Sequence, residues 1–261
     1  TMKEFNVRLE PNTEIPLGDG KTLTVGEKLG EGDLSELLLC TYDNPSGASA
    51  HKPRTRWERL MDVGPVTGVR GILKVTRFQA DNDLSSAEAE TLATLFPEAA
   101  GDVKFYRYLP RPLTEPFLNF GKHVNVLSYI EGHLTLEEIL QRMPKGIDFR
   151  DMVWMFKRTL VAIGFAHTRG IIHGAVLPPH IMVHPTGHGA RLVDWSYAIA
   201  ENSKASIKAY PAAYRDYLAP EVLAKQFPTP ATDIYMAAMT AVSLLVGGPH
   251  PEQLAESDIP K

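Results

Sequence analysis

The chain has 261 residues, 44% of them hydrophobic and 22% charged, with a formal net charge of −4. This composition fits a globular protein with a sizeable core and gives no global electrostatic reason to expect nucleic acid. A single cysteine, Cys40, excludes an internal disulfide framework. With no apolar run of about 18 residues and no signal-peptide pattern, the expectation is a cytoplasmic protein without a membrane segment.

In chain order, residues 1–22 are polar, with Pro11, Pro16 and the turn-type Gly18-Asp19-Gly20. They predict an N-terminal extension that ends in a turn. Leu23 to Tyr42 holds two strand-like runs joined by Gly30-Glu31-Gly32. Backbone N–H groups in such a hairpin can approach a phosphate without interference from a Cβ, although the same pattern also serves as a plain turn. Asp33 argues against phosphate, because its carboxylate repels one. Asp43 to Arg70 opens with a loop signal and carries His51, Lys52, Arg54, Arg56 and Arg59 around Trp57. A solvated insertion is predicted there, with contact to nucleic acid or an acidic partner as the alternative. Gly71 to Val75 is a strand-like run containing Lys74, whose charge needs a partner when buried.

Ser85 to Leu95 reads as a helix. Asp83 or Ser85 can cap it, and Glu88 either completes a capping box with Ser85 or pairs with Lys74. Loop and strand follow over Pro97 to Phe120, then a strand over His123 to Ile130. Thr135-Leu136-Glu137-Glu138 is a second capping-box pattern. Asp148 caps a long helix with Met152, Val153, Phe156, Leu160, Ile163 and Ala166 on one face, closing at Gly170. Between Ile171 and Ser196, apolar runs flank Pro178-Pro179, where the chain must turn, and a last run leads into Asp194. His180, His184 and His188 are evenly spaced, but the cysteines and second ligand pair of a structural zinc site are missing.

The order of these segments resembles the protein kinase family. His173-Gly174-Ala175-Val176-Leu177-Pro178-Pro179-His180 followed by Asp194-Trp195-Ser196 matches the frame of a catalytic loop H-R-D-L-x-x-x-x-N and a D-F-G. Gly30 to Ser35 resembles the glycine-rich loop. Gly71 to Val75 resembles the V-A-I-K strand, with Ile72 where the family has alanine. Glu88 resembles the helix glutamate that pairs with that lysine, and Tyr129-Ile130-Glu131-Gly132 resembles the hinge, with Leu127 as gatekeeper. Tyr217 to Glu221 resembles the A-P-E segment, and Asp233 heads a run similar to the central helix of the second lobe.

The resemblance implies an α+β, bilobal protein-kinase-like fold. It places a β-rich N-lobe at 23–130 with the insertion 43–70, and an α-helical C-lobe at 131–261, shortened after the central helix so that Glu221 lacks an obvious partner. It further implies ATP or another nucleotide with Mg or Mn. The binding positions would be Gly30, Gly32, Lys74, Glu88, Ser128, Ile130, Met182 and Asp194, with Asp194 and His180 as the metal positions. The chemistry departs from the frame. Ala175 stands for the base, Leu177 for a lysine and His180 for the metal-binding asparagine. Phosphoryl transfer needs a positioned base and neutralised phosphates, so the expectation is a pseudokinase on a serine/threonine kinase frame. It would act in signalling through a protein partner, with weak nucleotide binding. Two alternatives stay open: an active phosphotransferase in which His180 is base or ligand to a softer metal, and a nucleotide-independent interaction module.

Overall fold

Residues 2–45, 65–96, 100–207, 210 and 212–248 are described by the structure, a computed structural model. The basic cluster around Trp57 lies outside them. The chain divides into two compact units, Thr1–Asp102 with Pro110–Ile130, and Val103–Leu109 with Glu131–Lys261.

The first unit is built on a sheet of seven strands: β1 (Glu4–Phe5), β2 (Glu14–Gly18), β3 (Lys21–Glu31), β4 (Ser35–Asn44), β5 (Val66–Thr76), β6 (Phe117–Asn119) and β7 (Lys122–Ser128). Their order is β1-β6-β7-β5-β4-β3-β2, antiparallel throughout except for the parallel β1–β6 pair. Alternation along β4 buries Leu38, Cys40 and Tyr42 on one face, beside Leu23, Val25, Leu73, Val75, Val124 and Val126. Burial pushes the Cys40 thiol up to about 12, so it behaves as a small apolar side chain.

The N-terminal extension is more than a lead-in, because it supplies both outer strands of the sheet. Phe5 packs edge-on against Phe117 with ring centroids 5.2 Å apart. The Asn119 side chain accepts from the Val7 N–H at 3.0 Å and donates to the Val7 carbonyl at 2.9 Å, prolonging the ladder beyond β1. The strand expected from Gly71 begins earlier, at Val66.

Helix α1 (Asn82–Leu95) corrects the expected cap. It begins at Asn82, whose Oδ1 accepts from the Thr76 hydroxyl at 2.8 Å and the His123 N–H at 2.9 Å, while its Nδ2 donates to the Gly121 carbonyl at 2.8 Å. These bonds anchor the first turn to the sheet and carry Ser85 and Glu88 inside, so the Ser85/Glu88 capping box does not form.

The second unit is mainly helical. Strand β8 (Leu134–Thr135) leads into α2 (Leu136–Arg142), where the Thr135/Glu138 capping box is present in both directions. Asp148 caps α3 (Phe149–His167) by accepting from the Arg150 N–H at 2.8 Å. The buried stripe of α3 is Met152, Met155, Thr159, Ala162, Ile163 and Ala166, whereas Val153, Phe156 and Leu160 are half-buried. Two apolar stripes lie side by side in this sequence. The helix packs against α5 (Pro230–Val246), in which Ala237 and Ala241 are buried.

Short strands β9 (Ile171–Ile172), β10 (Ile181–Val183), β11 (Ala190–Leu192) and β12 (Ile199–Ala200) form a β11-β10-β8 sheet and a β12-β9 pair. Between β9 and β10 the prolines open a 3-10 turn, Pro178–His180, as their lack of an N–H allows. Helix α4 (Pro220–Leu223) precedes α5. Gly146 and Gly247 have φ of +85° and +80°, and a Cβ on Gly247 would lie 2.3 Å from the Pro144 carbonyl oxygen, so this crossing admits only glycine. Among the described residues no helix is long and apolar enough to cross a membrane.

Candidate functional site

The register of β5 against β7 sets Lys74 opposite Asn125. Both face α1, where Glu88 is fully buried. Lys74 Nζ donates to Glu88 Oε1 at 3.0 Å, and Asn125 Nδ2 donates to the other oxygen, Oε2, at 3.1 Å. Asn125 Nδ2 also lies 2.9 Å from the Ser85 carbonyl and 3.2 Å from Ser85 Oγ. Ser85 Oγ in turn lies 2.9 Å from His123 Nδ1. Burial holds His123 down to about 4, so its ring is neutral near pH 7. A buried carboxylate is tolerable only with such compensation. Sequence reasoning reached Lys74 and Glu88 and missed Asn125, Ser85 and His123. The available signal was Asn125 itself, a polar residue inside the apolar strand HVNVLSYI.

Gly30 is the penultimate residue of β3, and Gly32 lies in the exposed turn before β4. A Cβ on Gly30 would meet nothing within 4 Å, so packing does not require glycine there. The Gly32 N–H donates to the Ser35 carbonyl at 2.8 Å. Arg77 Nη1 donates to the Gly32 carbonyl at 3.1 Å, and Arg77 Nη2 meets Glu31 at 2.8 Å. Glu31 also meets Lys28 at 2.7 Å, and these two cations hold its carboxyl below the ordinary range. The turn is thus tied down, and the Gly32 amide is already used.

Ser128 donates its N–H to the Arg111 carbonyl at 2.7 Å, and Tyr129 donates to that of Arg70 at 3.0 Å. Ile130, buried, is the last residue of the first unit.

In the second unit the segment between β9 and β10 is almost wholly buried. Ala175 is 1% exposed and Leu177 0% exposed, so neither position presents a polar group. His173 is fully buried. Its Nε2 donates to the Val193 carbonyl at 3.0 Å, its Nδ1 accepts from the Ala175 N–H at 3.2 Å, and burial lowers it to about 4. A neutral scaffold ring satisfies this arrangement. Asp233, at the start of α5 and fully buried, accepts from the N–H groups of His173 and Gly174 and from His167 Nε2, all at 2.8 Å. It therefore holds the loop's entry in place. Glu221, expected to lack a partner, accepts a hydrogen bond from the Thr232 hydroxyl.

Asp194 adopts a left-handed conformation, φ 58°, ψ 70°, directly before Trp195, which is fully buried with its indole N–H on the Leu192 carbonyl at 2.9 Å. His180 is brought to Asp194. Its Nε2 lies 3.2 Å from Asp194 Oδ2, while Nδ1 lies 2.8 Å from the Ala175 carbonyl. A carbonyl can only accept, so Nδ1 donates to it and Nε2 is the nitrogen turned toward the Asp194 carboxylate. Met182 is half-buried on β10, opposite Arg191. His184 accepts from the Gly187 N–H at 2.9 Å, and the His188 ring packs on Trp154 at 4.6 Å, so the three evenly spaced histidines have separate surroundings.

Mg²⁺ prefers a near-octahedral oxygen shell. Asp194 offers carboxylate oxygens, but the neighbouring position is an imidazole nitrogen already turned onto one of them. The pair does not fit Mg²⁺. Among the described residues no three His, Cys, Asp or Glu side chains converge as a metal site.

The protein kinase domain model matches residues 113–259, more than half of the chain. Casein kinase II subunit alpha' of Saccharomyces cerevisiae is 35% identical over 25% of this chain and 20% of its own length. Cyclin-dependent kinase-like 2 of Rattus norvegicus is 28% identical over 44% of this chain and 23% of its own. Serine/threonine-protein kinase PknI of Mycobacterium bovis is 24% identical over 61% of this chain and 28% of its own. The chain therefore spans less than a third of the length of these relatives. With a curled, mostly antiparallel sheet in one unit, helices in the other, and the family model running across more than half of the sequence, this α+β chain belongs to the protein kinase domain family.

Proposed function

We propose that this chain is a pseudokinase, a kinase-like domain that works by binding and conformation in a cytoplasmic signalling setting, with phosphoryl transfer impaired or absent. The observation that carries the reading is the segment His173 to His180. Its base position is the buried methyl of Ala175, and its metal position is an imidazole committed to Asp194 and to the Ala175 carbonyl. Loss of the base alone costs on the order of 10²–10⁴ in rate. His180 is a poor substitute, because its Nδ1 is turned onto the Ala175 carbonyl and its Nε2 onto Asp194.

Lys74 and Glu88 retain the anchoring pair, which supports weak binding of ATP or another nucleotide through the Lys74 ammonium. Such a nucleotide would supply the phosphates; the residues of this chain would only bind and orient them. A second reading, a nucleotide-independent interaction module for a protein partner, is favoured by the turn at Gly32, whose amide is spent on Ser35. Thermal-shift titrations with ATP, ADP and GTP, with and without Mg²⁺ or Mn²⁺, separate the two. A saturable shift supports the pseudokinase with nucleotide, and no shift leaves the interaction module. Robust radiolabel transfer to a protein substrate, abolished by Asp194→Ala, would refute both.

A further inference from the structure

We propose that Asn125 is a positioning residue that holds Glu88 against Lys74 without any ligand, so that α1 is fixed to the sheet and the Lys74 ammonium is presented in one permanent arrangement. The inference relies on the proposed function only in taking Lys74 as the ligand anchor. The contacts themselves lie wholly inside the first unit.

The argument is one of hydrogen-bond direction. A carboxylate only accepts, and a side-chain amide nitrogen only donates. Turning the Asn125 amide over would aim its oxygen at Glu88 Oε2 and at the Ser85 carbonyl, two acceptors, so its orientation is fixed by its neighbours. Its two hydrogens then serve Glu88 and Ser85. Ser85 Oγ lies 3.2 Å from Asn125 Nδ2 and 2.9 Å from His123 Nδ1, so the run continues from β7 through the helix and back to β7. Both hydrogens of the Asn125 amide thus have defined targets, while His123 Nε2, at the far end of the run, is buried without a hydrogen-bond partner among the described residues. Asn125 is 3% exposed, Ser85 2% and His123 2%, so water does not compete for these bonds.

Residues 85 and 88 lie one turn apart on the buried side of α1. Asn125 therefore grips the helix at two successive turns from β7, while Lys74 grips it from β5. A helix held from one strand can pivot about that contact. A helix held from two neighbouring strands can leave only by breaking both holds together and stranding the Glu88 carboxylate in the interior.

The test is hydrogen exchange of residues 82–95 in the ligand-free full chain, with the Asn125 side-chain amide followed by ¹⁵N NMR. In the wild type the Asn125 Nδ2 hydrogens should exchange slowly and move on Glu88→Gln. In Asn125→Leu, exchange across α1 should accelerate at least about tenfold, as loss of a hydrogen bond to a charged group implies. In a Glu88→Gln background the same substitution should add less than about threefold, because the charge it serves is gone. Ser85→Ala keeps the backbone carbonyl and should give a smaller acceleration, so it stands in if Asn125→Leu does not fold. Side-chain amide exchange at the free rate in the wild type, unchanged α1 exchange in Asn125→Leu, or an equal effect with and without the Glu88 charge would each overturn the proposal. Ligand-free exchange is independent of the nucleotide titration, so either idea can fail alone.

Discussion

Replacing Lys74 by methionine isolates the electrostatic share of the α1 contact, because methionine fills much of the same channel without charge. Lys74 is 7% exposed and Glu88 0% exposed, and their atoms meet at 3.0 Å. Removing one member of a buried pair leaves an uncompensated charge and costs about 3–5 kcal/mol, whereas replacing both by apolar residues is often neutral. Asn125 still donates to Glu88 Oε2 in the variant, which places the cost toward the lower end. Taking about 3–4 kcal/mol and about 2–4 °C per kcal/mol, Lys74→Met should lower the melting temperature by roughly 6–16 °C, while Lys74→Met with Glu88→Leu should recover most of that loss. Far-UV circular dichroism melts at pH 7.5 without ligand read both. A shift under about 2 °C for the single variant, or a double variant no better than the single, would refute the view that charge compensation holds this helix.

Other outcomes follow from the same geometry. His123 and His173 are both held down to about 4, so the folded chain resists protons that the unfolded chain accepts near 6.5. Their stabilisation is complete above pH 6.5 and is lost as pH falls toward 4, by an amount on the order of 3 kcal/mol each, measurable as a falling urea midpoint. Asp233→Ala strands the N–H groups of His173 and Gly174 and should cost about 3–5 kcal/mol; loss of the folded second unit by near-UV circular dichroism checks it. Gly247→Ala, whose Cβ would press on the Pro144 carbonyl, should destabilise by more than about 1 kcal/mol, whereas Gly30→Ala, with open space, should leave the melting temperature unchanged. Arg77→Ala should speed exchange at residues 31–35 while costing no more than about 1 kcal/mol overall, since its ion pair is half-exposed.

Elements were legible where local chemistry matched the tertiary need. Thr135 and Glu138 announced α2 because each caps the other's backbone N–H at the start of the helix and the two side chains bond to one another, all within one turn. The identical logic failed at Ser85 and Glu88. A side chain three residues upstream, Asn82, found partners on two strands and started the helix there, which no local pattern reveals. Lys74 was legible as a charge needing a partner, and Glu88 as its candidate. Asn125 was not, because one asparagine in an apolar strand carries no sign of which face it takes until the β5–β7 register is known. The Glu221 partner escaped for a related reason. Thr232 also completes the capping box of α5 with Thr229, so its sequence context points to a local role alone.

The pairing of Glu4 with Leu118 has a bearing on synthesis and on opening. A nascent chain must hold β1 without its partner until more than a hundred further residues have emerged, so the β1–β6 pair closes only after a long stretch of chain has been made. Closure across so long an intervening loop carries little local reward, and the same strand has only two paired positions. It is therefore the natural first point of fraying, and unzipping there bares Leu118 and Asn119 while β2 to β5 remain paired. Amide protection in the first unit should fall off steeply from β5 outward to β1.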